Sequence, residues 1–353
     1  MDIAPVDRAD LRARVEKALA GFLARQRARL TAIEPALAPV ADAIEDFVLQ
    51  GGKRLRPAFA FWGYRGAGGD DSPELVATVA ALEFVQASAL IHDDVMDDSD
   101  TRRGEPAMHR RFAATHARQA WTGDAGAFGQ AAAILLGDLA LVWSDELLHS
   151  GGLDPVTLAR ARPVFDEMRT EVTAGQYLDV VGQAVGDVPV GWAETVARYK
   201  SAKYTVERPL LLGAALAGAP AELQAAYSGY GLPLGEAFQL RDDLLGVYGD
   251  PARTGKPAGD DLREGKRTYL VATALAGADP IQRRTLDGNL GNPDADVDAL
   301  RKIIAATGAL AATEHRIKEL TAQALNVIEA ADVEGEAKAV LTELAGAATQ
   351  RSR

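Results

Sequence analysis

The chain has 353 residues, of which 48% are hydrophobic and only 6% aromatic, and its formal net charge is −12. A protein that binds nucleic acid needs a basic face, so this acidic balance argues against nucleic acid as a partner. The chain contains no cysteine, which excludes disulfides and cysteine-ligated zinc. This fits a reducing cytoplasm, where we expect the protein to reside.

Apolar residues recur at helical spacing nearly from end to end. We expect one all-α domain over residues 1–353, a large helical bundle with a central active-site cavity. Residues 1–35 would form the N-terminal helix, with Leu11, Val15 and Leu19 on its apolar face. Residues 345–353 would form a flexible tail.

The middle of the chain contains the most apolar helices. Ser72-Pro73-Glu74 predicts a capped helix start, after a loop at 63–73. That helix would run to Asp93. Further loops are expected at 122–129 and 287–296. Because no apolar stretch gives about 20 residues without a polar or charged side chain, we predict no transmembrane segment.

Two acidic clusters follow strongly apolar stretches. The first contains Asp93, Asp94 and Asp97, and the second contains Asp242 and Asp243. Asp93 and Asp97 are four residues apart, so they share one helix face about 6 Å apart along the axis. Crowded carboxylates repel one another unless cations neutralise them. Mg²⁺ bound by one or two carboxylates and a polyphosphate would do so.

Basic residues occur in separate short segments of this acidic chain. They are Lys53, Arg54 and Arg56 in 51–57, Arg102 and Arg103 in 101–104, then Lys200, Lys256 and Lys266. Arginine suits bidentate phosphate recognition and lysine provides a point charge. Gly51-Gly52-Lys53 is not a P-loop. Each cation alone is more often a solvated surface residue, but together they suggest two polyphosphate sites, one bound through metal and one without metal.

In this order the segments resemble the trans-isoprenyl diphosphate (polyprenyl) synthases, and most closely the bacterial geranylgeranyl diphosphate synthases of that family. The resemblance spans roughly residues 40–280. The matching motifs are Gly51-Gly52-Lys53-x-x-Arg56-Pro57, Asp93-Asp94-x-x-Asp97, Arg102-Arg103-Gly104, Gly175-Gln176-x-Leu178-Asp179, Lys200-Ser201, Phe238-Gln239-x-x-Asp242-Asp243, Gly249-Asp250-Pro251, Thr254-Gly255-Lys256 and Asp260-Asp261-x-x-x-Gly265-Lys266.

The resemblance implies an enzyme that joins isopentenyl diphosphate head-to-tail to an allylic diphosphate, works as a homodimer and uses three Mg²⁺ ions per site. It also implies residue roles. Metal would be held by Asp93, Asp97 and Asp242, supported by Asp94 and Asp243. The allylic diphosphate would contact Arg102, Lys200 and Lys256, and isopentenyl diphosphate would contact Lys53, Arg56, Arg103 and Gln86. Ser201 and Gln239 would flank the reacting carbons, and Lys266 would help close the site.

The chain departs from the family pattern at the second acidic cluster. Gly246 stands where many relatives have a third aspartate. Asp250 would lie about 12 Å from Asp242 if the helix continued, so it is no simple replacement. We therefore assign the metal role to Asp242 rather than Asp250.

The residues before the first acidic cluster bear on product length. Ser88 and Ala89 lie one helix turn before Asp93, and Val85 lies about two turns before it. Relatives that make C15 products often have aromatic residues at this level. The small side chains here predict an open pocket and a product of C20 or longer. They could instead serve only close helix packing.

Two other functions share part of this pattern. A class I terpene cyclase has the first acidic motif and the helical fold, but it has no second diphosphate for Lys53, Arg56 and Arg103 to bind. A non-catalytic subunit of a heteromeric synthase tends to lose its carboxylates, and both clusters are present here.

Overall fold

The computed structural model describes residues 8–250 and 259–349, and these are almost entirely helical. The helices are α1 Leu11–Ile33, α2 Ala38–Leu49, α3 Leu55–Gly66, α4 Pro73–Met96, α5 Met108–Arg118, α6 Ala125–Ser150, α7 Pro155–Val185, α8 Val190–Val196, the π-helix Ala197–Glu207, α9 Arg208–Ala217, α10 Ala221–Tyr248, α11 Asp260–Arg263, α12 Tyr269–Gly277, α13 Pro280–Asn289, α14 Val297–Ala306, α15 Ala309–Ala330 and α16 Gly335–Thr349. Short 3₁₀ turns cover Arg8–Asp10 and Pro35–Leu37.

Two two-residue strands, β1 (Thr101–Arg102) and β2 (Glu105–Pro106), pair antiparallel after the first acidic cluster. The hairpin turns through Arg103 and Gly104, both at positive φ. A glycine adopts this conformation at little cost, which suits Gly104 to the turn. The hairpin places Arg102 beside the end of α4.

Helix α4 begins as the sequence predicts. The Ser72 hydroxyl accepts a hydrogen bond from the Leu75 N–H at 3.1 Å, and Pro73 occupies the first turn. These features satisfy one free N–H group and remove another. The helix then runs past Asp93 to Met96.

Helix α4 lies in the centre of the larger hydrophobic core. Phe84 packs edge-on against Phe22 of α1 at 5.3 Å and against Trp143 of α6 at 6.0 Å between ring centroids. Each such buried aromatic side chain contributes about 2–3 kcal/mol by leaving water. The helix that carries the first acidic cluster is therefore held firmly on several sides.

A second hydrophobic cluster surrounds the C-terminal end of α10. Leu240 and Leu244 of α10 pack with Leu270 of α12 and with Leu300 and Ile304 of α14. This cluster positions the second acidic cluster, which lies on the same stretch of α10.

Two of the described helices are long and apolar enough to cross a membrane by length and composition alone. The apolar stretch of α4 is 72% buried inside the protein, as in the core helix of a soluble protein, whereas that of α6 is only 28% buried. Burial inside the protein therefore does not account for the apolar side chains on the outward face of α6.

Several expected boundaries are wrong. Helix α3 continues to Gly66, inside the loop expected at 63–73. Helix α6 begins at Ala125, inside the loop expected at 122–129, because Asp124 caps it by accepting from the Ala127 N–H at 2.7 Å. Helix α13 continues to Asn289. Residues 345–349, expected in a flexible tail, belong to α16 and include buried side chains. Residues 350–353 of that tail lie outside the described residues.

Candidate active site

The first acidic cluster lies at the C-terminal end of α4. Asp93 and Asp94 are in its last turn, and Asp97 is the C-cap residue, whose N–H donates to the Asp93 carbonyl at 2.8 Å. The helix dipole is negative at this end, so carboxylates here need nearby cations. The two metal-binding candidates Asp93 and Asp97 are both largely buried.

Two lysines from distant segments contact this cluster. Lys200 Nζ lies 3.2 Å from Asp93 Oδ1 and 2.6 Å from Asp179 Oδ2. Lys266 Nζ lies 3.0 Å from Asp97 Oδ2 and 2.6 Å from Glu264 Oε2. The structure thus brings both lysines to the first acidic cluster, and their expected diphosphate-binding and site-closing roles stay predictions.

These charges determine the protonation of the site. Burial alone would raise the pKa of Asp93, but the positive charges of Lys200, Lys266 and Arg102 hold that pKa well below its usual range. Burial would likewise lower the pKa of Lys200, but Asp93 and Asp179 raise it. Asp93 is therefore ionised and Lys200 is positively charged at neutral pH.

The Asp94 side chain is fully buried. Its Oδ1 accepts from Arg102 Nε at 2.9 Å and also from Arg102 Nη2. Arg102 Nη2 also reaches Asp93 Oδ2 at 3.4 Å. Asp94 thus orients the guanidinium group of Arg102 toward Asp93, and its expected support of the metal ligands stays a prediction.

The second acidic cluster is near the end of α10. Asp243 is buried, and its Oδ1 accepts from Gln239 Nε2 at 2.7 Å. Burial raises the pKa of Asp243 to about 8, although the Gln239 hydrogen bond opposes this. Gln239, expected beside the reacting carbons, here holds Asp243. Asp242 is only partly buried and stays the metal-binding candidate of this cluster.

A carboxylate from another segment takes the space next to Gly246. A Cβ atom added at Gly246 would overlap the Asp261 carboxylate of α11. Asp261 Oδ1 lies 3.7 Å from Lys266 Nζ, and its charge helps to raise the pKa of both Lys266 and Asp243. Asp250 lies beyond the helix, because α10 ends at Tyr248. Lys256, expected on the allylic diphosphate, lies outside the described residues.

The segment before α3 brings together the second set of cations. Gly51, Gly52 and Arg54 have positive φ, which turns the backbone sharply between α2 and α3. Arg103 Nη1 donates to the Gln50 carbonyl at 3.2 Å, so the hairpin after α4 reaches this turn. Burial lowers the pKa of Arg103, and nearby arginines act in the same direction while Glu83 opposes them. Such a concentration of positive charge suits an anion.

Two residues expected near isopentenyl diphosphate contact the π-helix from different helices. Arg56 of α3 donates from Nη2 to Thr205 Oγ1 at 2.8 Å. Gln86 of α4 accepts a hydrogen bond from the Tyr204 hydroxyl. Ser201 lies beside Lys200 in the π-helix, and a Cβ at Gly175 would overlap the backbone of Lys200, so α7 presses closely on that segment.

The chain-length candidates lie on α4 as expected. Ser88 and Val85 are buried and Ala89 is partly buried. None of these three positions of α4 carries an aromatic side chain.

Several site residues escaped the sequence analysis. Gln176 Nε2 donates to Asp93 Oδ1 at 3.0 Å, and Asp179 pairs with Lys200. Both lie in a motif quoted for the resemblance, so their position there was an available signal. Asp261 likewise lies in a quoted motif, Asp260-Asp261-x-x-x-Gly265-Lys266. Tyr204 and Glu264 occupy no fixed position of a quoted motif, and their roles depend on contacts with distant segments.

Known proteins are similar to this sequence over most of its length. A family model described as Polyprenyl synthetase matches residues 38–307. Geranylfarnesyl diphosphate synthase of Aeropyrum pernix is 32% identical over 299 residues, which cover 82% of this chain and 87% of that protein. Geranylgeranyl diphosphate synthase of Saccharolobus solfataricus is 32% identical over 254 residues, 71% of each chain.

Solved structures share the whole architecture. Geranylgeranyl pyrophosphate synthase from Corynebacterium glutamicum, complexed with isoprenyl diphosphate and magnesium, is similar with a TM-score of 0.95 and 41% identity. The match covers 98% of this chain and 100% of that chain. Polyprenyl synthase from Caulobacter crescentus, complexed with calcium and isoprenyl diphosphate, has a TM-score of 0.77 and 28% identity, covering 97% of both chains.

Proposed function

Because the chain belongs to the polyprenyl synthetase family and is a prenyltransferase, we propose that it joins isopentenyl diphosphate head-to-tail to an allylic diphosphate. The primer is dimethylallyl, geranyl or farnesyl diphosphate. The product is an all-trans polyprenyl diphosphate, geranylgeranyl diphosphate (C20) or longer. The all-α fold and the family resemblance inferred from the motifs are confirmed.

One observation supports two diphosphate sites: the π-helix contacts both the first acidic cluster and an arginine of the second cationic group. Lys200 of that segment contacts Asp93, while Thr205 of the same segment accepts from Arg56. A class I terpene cyclase ionises one diphosphate and has no use for the second cationic group. The geometry therefore favours the two-substrate reaction.

The acidic residues suit Mg²⁺ in their chemistry. Their carboxylate oxygens are the hard ligands that this ion prefers. Among residues 8–250 and 259–349, no three acidic or histidine side chains form a complete metal centre by themselves. That fits ions held by one or two carboxylates and completed by diphosphate and water. We propose Asp93, Asp97 and Asp242 as ligands and three ions per site.

Bound Mg²⁺ would stabilise the negative charge that develops on the leaving diphosphate. Lys200 and Arg102, whose positive charges are maintained by ion pairs with aspartates in spite of burial, would bind the same diphosphate. The allylic C–O bond breaks and pyrophosphate leaves with the electron pair. The isopentenyl alkene forms the new C–C bond, and the proton lost from the resulting cation passes to pyrophosphate.

The experiment that tests this function is incubation of the purified chain with Mg²⁺, isopentenyl diphosphate and each allylic primer, followed by chromatography of the products. We expect chain-length growth that requires both substrates. Consumption of a primer without isopentenyl diphosphate would indicate a cyclase. Absence of turnover by the pure chain, with activity restored by a second subunit, would indicate a non-catalytic partner.

We further propose that the protein forms a homodimer through the outward face of α6. Leu135 and Val142 on this face are 66% and 62% exposed, and Ile134 is also exposed. Apolar side chains grouped on one helix face indicate a protein contact. Cytoplasmic localisation and the absence of a nucleic-acid partner stay predictions.

A further inference from the structure

We propose that Tyr204 is a positioning residue for isopentenyl diphosphate, holding Arg56 and Gln86 in the orientation that binds this substrate. The proposal rests on the function proposed above and adds a residue that none of the sequence motifs identified. Tyr204 lies in the π-helix and is buried between α3 and α4. It contacts two residues expected to bind the same substrate.

The ring of Tyr204 fixes Arg56 from one side. The guanidinium carbon of Arg56 lies 4.0 Å from the ring centroid, within the range of a cation–π contact. The neighbouring Thr205 accepts from Arg56 Nη2 at 2.8 Å. Two consecutive residues of the π-helix thus define both the plane and the direction of this guanidinium group.

Arg56 retains unused hydrogen-bonding capacity. Its Nε atom is buried but has no hydrogen-bond acceptor within the described parts of the chain. A buried donor without an acceptor costs free energy, and arginine can offer five N–H groups to an anion. The stacked orientation therefore leaves Arg56 ready for a phosphate oxygen.

The hydroxyl group of Tyr204 fixes Gln86. It donates to Gln86 Oε1, so the amide NH₂ of Gln86 points to the other side as a donor. Burial raises the pKa of Tyr204 to about 12, with Arg56 opposing this effect. The phenol therefore stays protonated and keeps donating throughout the working pH range.

The backbone around Tyr204 has little freedom to move. A Cβ at Gly175 of α7 would overlap Lys200, and a Cβ at Gly235 of α10 would overlap Ala202. The π-helix is therefore wedged between these two helices. Lys200 and Tyr204 are four residues apart in it, so one rigid segment supplies a cation to the allylic site and orients an arginine for the other site.

The test compares Tyr204→Phe with Tyr204→Leu in steady-state kinetics. Tyr204→Phe removes only the hydrogen bond to Gln86, so the KM for isopentenyl diphosphate should rise roughly three- to ten-fold. Tyr204→Leu also removes the ring under Arg56 and should raise that KM by roughly a further two- to five-fold. The KM for the allylic primer should change less than about two-fold in both.

Tyr230→Phe is the matched control. Tyr230 is a fully buried tyrosine of α10 whose hydroxyl donates to the Leu341 carbonyl at 2.6 Å, away from both proposed sites. It should lose stability without changing either KM. A double variant of Tyr204→Phe with Gln86→Leu should be no worse than Gln86→Leu alone, because both changes remove the same contact.

Two results would overturn the proposal: an unchanged KM for isopentenyl diphosphate in Tyr204→Phe, or an equal rise in both KM values. If Tyr204→Leu fails to fold, the isosteric Tyr204→Phe variant still decides. Failure of the proposed function looks different, since the unmodified chain would then give no product from isopentenyl diphosphate and any primer.

Discussion

At the scale of single residues, the acidic clusters are organised by the charges that reach them. Asp93 meets Lys200, Asp94 meets Arg102 and Asp97 meets Lys266. Each of these pairs is largely buried, so loss of one partner would leave an uncompensated charge in a region of low dielectric constant. Three aspartates that look alike in the sequence thus differ in the cation that lies nearest to each, although Arg102 also reaches Asp93.

The Gly246 position yields a prediction about stability. Gly246→Ala should destabilise the protein by about 1–3 kcal/mol, because its methyl group would overlap the Asp261 carboxylate and displace Lys266. Activity should fall with it. The free energy of unfolding in urea and the kcat measure the two effects.

Gly288→Ala is the control for this change. Gly288 lies in α13 with nothing within 4 Å of an added Cβ, so alanine there should be neutral or stabilising by up to about 1 kcal/mol. If Gly246→Ala were as stable and active as Gly288→Ala, Asp261 would not occupy the space that we assign to it.

A second residue-scale prediction concerns product length. Ser88→Phe should shorten the product, because an aromatic side chain one turn before Asp93 would block a tail that grows about 5 Å per isoprene unit. Chromatography of the products measures this, with Ser88→Ala as the control that keeps the long product. An unchanged product length in Ser88→Phe would show that the tail does not pass this side chain.

At the scale of elements, the turn between α2 and α3 depends on one buried ion pair. Arg54 Nη1 lies 2.6 Å from Glu83 Oε2 of α4, with side chains only 3% and 6% exposed. Arg54 Nη2 also donates to the Val48 carbonyl at 2.8 Å. Arg54 of the basic segment 51–57 therefore has a structural role, and it stabilises the turn that carries Lys53.

Arg54→Met should consequently destabilise the protein by about 3–5 kcal/mol, because Glu83 would be left buried without its partner. Because the disturbed turn carries Lys53, which is expected to bind isopentenyl diphosphate, the variant should also raise the KM for this substrate. Urea unfolding and kinetics measure the two effects. The exposed pair of Arg162 and Asp166, 65% and 48% exposed, is the control, and Arg162→Met should cost less than about 1 kcal/mol. Equal losses in the two variants would contradict the assigned role of Arg54.

At the scale of the whole molecule, the described residues 8–250 and 259–349 leave the outward apolar face of α6 exposed. Leu135→Glu combined with Val142→Glu should convert a dimer into a monomer, since each introduces a charge where apolar side chains would be buried. Light scattering with size-exclusion chromatography measures the mass. Ile281→Glu on α13, where Ile281 is 69% exposed, is the control and should not change the mass. A monomeric unmodified chain would contradict the proposed dimer.

Much of this protein was determined by its sequence alone. Helical periodicity placed α1 and α4, the Ser72-Pro73-Glu74 cap placed the start of α4, and ordered motifs indicated the family and most of the charged site residues. These signals are short-range, because capping and periodicity depend on neighbours within a turn or two of the chain.

Only the tertiary structure decided how these residues pair. Asp94 accepts hydrogen bonds from Arg102, and Asp261 occupies the space beside Gly246. Arg54 forms a buried ion pair with Glu83, and Tyr204 contacts both Arg56 and Gln86. Each pairing joins residues that lie on different helices or loops. Charge and burial in three dimensions decide such contacts, and no local pattern in the chain encodes which distant partner a buried side chain will meet.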